Sequence, residues 1–94
     1  MLEMPEIVFT VQLPDGTTKE CYSPSTVVLQ HFRQGDEMSV AEFLNRSRRA
    51  FPAASERVRA KFGFACSSAA AELAAIEEWT RFYASDATIR IIHI

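Results

Sequence analysis

The chain has 94 residues, of which 48% are apolar and 23% charged, and a formal net charge of −2. These values predict one globular domain over residues 1–94 and argue against a disordered chain, and the small negative charge disfavours general nucleic-acid binding. No apolar run approaches the ~20 residues that span a bilayer, and the first residues lack the pattern of a signal peptide, so we expect a cytoplasmic protein without membrane contact.

The first predicted element is a β-hairpin. Apolar residues alternate with others over residues 7–13, which is the period of a strand with one buried face. Pro14-Asp15-Gly16 favours a three-residue loop before a second strand over residues 17–22. In that register Phe9 faces Cys21, and the Cys21 side chain points into the core. A two-residue loop would turn the other side of the second strand inward, but the turn sequence suits it less well.

A short helix and a long helix are predicted next. Ser25 is the candidate cap of a short helix over residues 26–32. Ser39 and Glu42 then have the spacing of a capping box, which predicts the start of a long helix. Its apolar stripe comprises Val40, Leu44, Ser47, Phe51, Ala54, Val58 and Phe62. The stripe keeps its phase across Pro52, so we expect one kinked helix.

The end of the long helix and the remaining elements follow from similar signals. Gly63 terminates the long helix, and Phe64 is placed to make the apolar contact of a glycine cap. A further helix is expected from Ser67 or Ser68 to about residue 83. Its inner residues are Ala69, Leu73, Ile76, Thr80 and Tyr83, with Trp79 beside them and with Glu77 and Arg81 paired on the outer face. Residues 88–94 are rich in β-branched side chains, which predicts a final strand.

These elements predict an α+β fold in the order ββαααβ. We expect a three-stranded sheet of order 2-1-3 with the helical pair on one face. If two helices of equal length return the chain to the end where they began, the last strand runs parallel to the first. The expected core comprises Phe9, Val11, Leu44, Phe51, Val58, Leu73, Ile76 and Ile91.

Two short cysteine-serine segments on either side of the long helix form the candidate anion or ligand site. Helix N-termini attract anions and lower the pKa of a nearby thiol, and arginines at the preceding helix end would add positive charge. The candidate residues are Ser23, Ser25, Arg57, Arg59, Cys66, Ser67 and Ser68. The alternative is purely structural: the serines are helix caps and Cys66 is a small buried apolar residue.

The long helix also concentrates positive charge. Six of the ten basic residues lie there: Arg46, Arg48, Arg49, Arg57, Arg59 and Lys61. One interpretation is a solvated face paired with glutamates of the next helix, and the other is a docking surface for a protein or ligand.

The sequence carries no pattern typical of a catalytic or metal site. Cys21, Cys66 and His31 come from unconnected segments without a metal-site spacing, and no nucleophile-turn motif is present, so we expect no catalytic residue, metal or cofactor.

Large apolar residues are numerous for so small a domain, which favours a homodimer or a contact with another protein. Phe82 lies off the inner stripe of its helix, and Phe32, Phe43 and Phe64 compete for limited interior volume, so we expect some of these rings at an interface.

The chain resembles the small bacterial nitrogen-starvation-response proteins encoded in nitrilase-containing gene clusters. The matching stretches are Phe9-Thr10-Val11, Pro14-Asp15-Gly16, Cys21-Tyr22-Ser23-Pro24-Ser25-Thr26-Val27-Val28, Glu42-Phe43-Leu44, Arg46-Ser47-Arg48, Ala54-Ser55-Glu56-Arg57-Val58-Arg59 and Gly63-Phe64-Ala65-Cys66-Ser67. Pro52 and the last strand lie outside them. The resemblance implies a role in the use of nitriles or cyanide as nitrogen sources, and it assigns no catalytic residue. Three hypotheses follow: an accessory protein that contacts an enzyme of this pathway, an anion- or small-molecule-binding module, and an enzyme with Cys66 as nucleophile.

Overall fold

The computed structural model describes residues 6–63 and 67–94, without the side chains of Phe62 and Ser67. Within these residues the chain forms four strands, one 3-10 helix and two α-helices. In chain order they are β1 (Ile7–Gln12), β2 (Thr18–Ser23), the 3-10 helix (Thr26–Gln30), β3 (Glu37–Ser39), α1 (Val40–Phe62), α2 (Ser67–Thr80) and β4 (Thr88–His93). The α+β class and the long helical pair are confirmed.

The sheet has four strands in the order β2-β1-β4-β3, and all neighbouring strands are antiparallel. The last strand lies beside β1 as predicted, but the predictions of three strands and of a parallel β1–β4 pair are wrong. The missed strand β3 explains both errors, because it carries the chain across the sheet once more before the helices begin. The helical pair then returns the chain to the opposite end from the one expected, and β4 runs antiparallel to β1.

The hairpin register is confirmed. Phe9 lies opposite Cys21, and the backbone N–H of Leu13 donates to the Thr17 carbonyl at 2.7 Å, which closes a three-residue loop. The Asp15 carboxylate accepts hydrogen bonds from the Thr17 amide at 3.0 Å and from the Thr17 hydroxyl at 2.7 Å. Gly16 adopts φ of 91°, a left-handed conformation that a side chain would disfavour. Local turn chemistry therefore sets the register, and Cys21 is buried.

Helix α1 is a single helix that contains Pro52. At its start the Ser39 hydroxyl accepts from the Glu42 backbone N–H at 3.0 Å, which is the predicted cap. The Glu42 carboxylate accepts from Arg46 at 2.9 Å. At its end Gly63 has φ of 82° and donates its N–H to the Arg59 carbonyl. The proposed contact of Phe64 lies outside the described residues.

Helix α2 ends at Thr80, three residues earlier than predicted. The Thr80 hydroxyl donates to the Ile76 carbonyl at 2.7 Å, and residues 81–83 continue as turns. The predicted pairing of Glu77 with Arg81 is wrong, because each side chain has another partner. Arg81 pairs with Glu78 in the preceding turn, and Glu77 pairs with Arg48 of α1.

The core lies between the helices and one face of the sheet. Phe9, Phe32, Phe43 and Trp79 form a chain of rings with centroids 5.3–5.7 Å apart. Six of the eight predicted core residues are buried; Leu44 and Leu73 are half-buried and pack against the core. Phe32 and Phe43 are fully buried, so they are not interface residues, whereas Phe82 is 79% exposed.

Candidate functional site

The first cysteine-serine segment is a closed turn in the interior. The Ser23 hydroxyl donates to the Ser25 carbonyl at 2.8 Å and accepts from the Ser25 N–H at 3.3 Å. The Ser25 hydroxyl accepts from the Val27 N–H at 3.2 Å and thereby caps the 3-10 helix. Both serines are at most 1% exposed. These hydroxyls hold the chain as it leaves the sheet, which agrees with the structural alternative.

The second segment of the predicted anion site lies mostly outside the described residues, which do not include Cys66 or the Ser67 side chain. Ser68 is exposed near the start of α2. Arg57 and Arg59 are exposed on the last turns of α1, and Arg59 lies 3.6 Å from the Glu56 carboxylate. The anion site therefore remains a prediction for these five positions: Arg57, Arg59, Cys66, Ser67 and Ser68.

Cys21 is a core thiol. It is 1% exposed, and burial raises the pKa of its thiol to about 12, with a further contribution from the negative charge of Glu72. A thiol that is neutral and enclosed at physiological pH is a poor nucleophile and a poor metal ligand. Cys21 therefore contributes packing.

We define the basic flank as Arg46, Arg49, Arg57 and Lys61, which lie on one side of α1. Arg46 is half-buried and structural: its guanidinium contacts the Glu42 carboxylate at 2.9 Å, the His31 carbonyl at 3.1 Å and Asp36 at 3.5 Å. The other three members are exposed, and none forms an ion pair with any residue of 6–63 or 67–94.

His31 lies beside the basic flank, at the end of the 3-10 helix. Partial burial lowers the pKa of its imidazole, and the positive charges of Arg49 and Arg46 lower it further. The smaller contributions to this shift follow from the basic flank itself, because a neighbouring cation disfavours protonation of histidine.

The opposite side of α1 is different, because it faces α2. The Arg48 guanidinium donates to the Glu77 carboxylate at 2.9 Å, so a salt bridge joins the two helices. The two interpretations of the basic helix thus apply to different residues. Arg48 forms a salt bridge to α2, whereas Arg49, Arg57 and Lys61 of the basic flank are exposed without an ion pair in the described residues.

A groove of about 590 Å³, which we call the interhelical groove, lies between the start of α1 and the end of α2. Its lining includes apolar atoms of Val40, Leu44 and Ala74 and the charged residues Arg48, Glu77, Glu78 and Arg81. The sequence analysis missed this groove because it depends on how the two helices meet. The available signal was the small residues at positions 41 and 74, whose short side chains leave space between the two helices unfilled.

Residues 8–94 match the model of a family described as nitrogen starvation-induced protein NitG. The chain belongs to this family. No curated protein and no solved structure matches it. The family match runs from β1 through β4 and includes both cysteine-serine segments and the basic flank, and it confirms the nitrogen-starvation resemblance.

The side chains and helices of this NitG-family chain limit metal binding and membrane insertion within the described residues. In the described part of the chain, no group of three or more histidine, cysteine, aspartate or glutamate residues is arranged to hold a metal ion. None of the helices in residues 6–63 and 67–94 combines the length and the apolar character that a membrane span requires.

Proposed function

We propose that this NitG-family protein is a non-enzymatic accessory protein of the bacterial nitrogen-starvation response. Its role would lie in the assimilation of nitriles or cyanide, in the cytoplasm, through contact with a protein of the same pathway. The observation that carries this proposal is the open basic flank, with three exposed cations that have no ion pair in the described part of the chain.

The charge of the flank indicates the chemistry of the partner. The whole chain has a net charge of −2, yet Arg49, Arg57 and Lys61 lie on one helix side, so positive charge is concentrated there. Complementary charge accelerates association and selects the partner and its orientation. An acidic surface on the partner protein fits this flank.

A non-catalytic role is supported by the structural roles of the candidate reactive groups. The Ser23 and Ser25 hydroxyls are engaged in the turn, and the Cys21 thiol is buried with a raised pKa. Each of these groups already satisfies a structural requirement of the fold. The enzyme hypothesis then depends on Cys66 alone.

The alternative is an anion- or small-molecule-binding module at the second cysteine-serine segment. The observation that favours it is the exposure of Arg57 and Ser68, on the helix ends that flank this segment. The hydrogen bond from the Tyr22 N–H to Glu72 also brings β2 beside α2. An anion held here would protect the fold against heat, and Arg57→Gln with Ser68→Ala would abolish that protection.

The docking proposal can be tested by charge reversal. The tagged protein is purified from nitrogen-starved cells, the bound proteins are identified by mass spectrometry, and the affinity is then measured with the purified partner. Arg49→Glu with Arg57→Glu should weaken binding by about tenfold or more and reduce its salt dependence. The matched control is Arg59→Glu with Arg90→Glu, which reverses two exposed arginines that already have partners in Glu56 and Glu37. Equal binding by both double variants would contradict the proposal.

A further inference from the structure

We propose that two copies of the chain associate through the interhelical groove, with Phe82 of each copy inserted into the groove of the other. This inference is independent of the basic flank, because the groove lies on the side of α1 that faces α2. The partner in this proposal is a second copy of the chain. The interface has two-fold symmetry, so each copy contributes the same surface.

Phe82 is the most exposed large apolar side chain among the described residues, at 79%. Its backbone is held in place, because its N–H donates to the Trp79 carbonyl at 3.3 Å. The neighbouring residue is anchored as well: the Tyr83 hydroxyl donates to the Asp15 carboxylate at 3.1 Å. A phenyl ring presented to solvent from an ordered turn is pre-organised for insertion, so little conformational entropy is lost on binding.

The interhelical groove has the volume and the position to receive that ring. Its volume of about 590 Å³ is ample for a phenyl group, and Val40, Leu44 and Ala74 supply apolar contacts. Arg81 and Tyr83, the two chain neighbours of Phe82, both line the groove. The backbone of Phe82 therefore lies at the edge of the groove, while its exposed ring is not part of the lining. A two-fold axis near this edge would allow both insertions to occur together.

The charges of the groove favour a second copy of the chain over a strongly charged partner. The groove contains two positive and two negative side chains, which are already matched: Arg48 with Glu77 at 2.9 Å and Arg81 with Glu78 at 3.3 Å. A strongly acidic or basic partner would meet both signs of charge here, so it would gain no net electrostatic attraction. A second copy brings the same balanced set and can exchange partners across the axis.

Sedimentation velocity and light scattering of the full chain test the inference. The wild-type protein should approach twice its 10.6 kDa mass as its concentration rises from micromolar to millimolar. Phe82→Ser should raise the concentration needed for dimerisation by about tenfold or more. Val8→Ser is the matched control, since Val8 is 48% exposed on β1 and does not line the groove, and it should dimerise as the wild type does. A wild-type chain that stays monomeric throughout would overturn the inference.

A mixing experiment distinguishes reciprocal insertion from a general loss of apolar surface. Ala74→Trp fills the groove from an exposed helix position and leaves Phe82 in place. Neither Ala74→Trp nor Phe82→Ser should dimerise alone at concentrations where the wild type does. A mixture of the two should form heterodimers, because the intact groove of one variant accepts Phe82 of the other. Circular dichroism and thermal unfolding establish that both variants are folded, and folded variants that do not associate on mixing would overturn the reciprocal geometry.

Discussion

The Glu72 carboxylate accepts a hydrogen bond from the backbone N–H of Tyr22 at 2.7 Å, which joins α2 to the edge strand β2. An edge strand presents unpaired N–H groups that can pair with another chain, and covering them prevents such pairing. Glu72 thus satisfies an edge donor and fixes the start of the last helix on the sheet. The same carboxylate contributes to the raised pKa of Cys21.

Replacement of Glu72 should show how much this hydrogen bond contributes to the stability of the fold. Glu72→Ala leaves the Tyr22 N–H without its charged acceptor, and we expect a loss of about 1–2 kcal/mol in the free energy of unfolding. Glu78→Ala is the control, because its pair with Arg81 is solvent-exposed and should contribute less than about 0.5 kcal/mol. Urea denaturation of both variants provides the comparison, and equal losses would contradict a specific role for Glu72.

Ser47 is expected to be a destabilising residue. It is fully buried on α1, and its hydroxyl has no hydrogen-bond partner within the described residues. Since a buried unpaired hydroxyl is costly and alanine is the better helix former, Ser47→Ala should leave stability unchanged or raise it by up to about 1 kcal/mol. Ser25→Ala removes a buried serine that is a helix cap, and it should lower stability by about 1 kcal/mol. The thermal unfolding temperature should fall for Ser25→Ala and should not fall for Ser47→Ala.

Cys21 should resist alkylation until the protein unfolds. Its burial and its pKa of about 12 both keep the thiolate unavailable at neutral pH. In a Cys66→Ser variant, which leaves Cys21 as the single thiol, iodoacetamide should modify the protein slowly in buffer and rapidly in denaturant. Rapid modification in buffer would place the thiol at the surface and contradict the hairpin register. Cys66, near the predicted start of α2, should be the faster thiol in the wild-type chain.

Phe51 should be among the most costly core residues to truncate. It is 1% exposed and stacks on Phe9 with ring centroids 6.5 Å apart. Phe51→Ala should lower the free energy of unfolding by about 3–5 kcal/mol, because it leaves a cavity between α1 and β1. Phe82→Ala makes the same chemical change at an exposed site and should cost less than about 0.5 kcal/mol at low protein concentration. A denaturation midpoint unchanged by Phe51→Ala would contradict the phase of α1.

His31 should make the stability of the fold depend on pH. The folded state lowers the pKa of His31 below its ordinary value of 6.5, so the unfolded chain binds the proton more readily. This contribution to stability is complete above about pH 7 and is lost as the pH falls through 6.5 toward the folded-state pKa. His31→Gln should therefore become more stable relative to the wild type as the solution is acidified, as measured by urea titration at several pH values. A difference between the two proteins that does not vary with pH would contradict this assignment.

Much of the fold was predictable because its signals are local. The alternation over residues 7–13 and the turn at Pro14-Asp15-Gly16 together indicate the hairpin and its register. Ser39 and Gly63 delimit α1: the Ser39 hydroxyl accepts from the Glu42 N–H, and the Gly63 N–H donates to the Arg59 carbonyl. A hydroxyl cap and a left-handed glycine act over three or four residues, so a single sequence displays them directly.

The errors concern elements whose stability depends on distant residues. Strand β3 is three residues long with one buried side chain, Met38, which is too short for an alternating pattern. It exists because it pairs with β4, as in the partnership of Met38 with Ile89, about fifty residues later in the chain. Without β3, the direction of the last strand could not be predicted correctly.

At the candidate site, too, local features were predictable and contacts between separate elements were not. The sequence by itself determined that Ser25 is a cap, that Cys21 is internal and that α1 has a positively charged exterior, because each depends on periodicity or local chemistry. Only the tertiary structure decided which arginines have partners, since the bonds of Arg46 to His31 and of Arg48 to Glu77 join separate elements. The interhelical groove likewise arises only when α1 and α2 meet, because an open surface between two helices is a property of their packing.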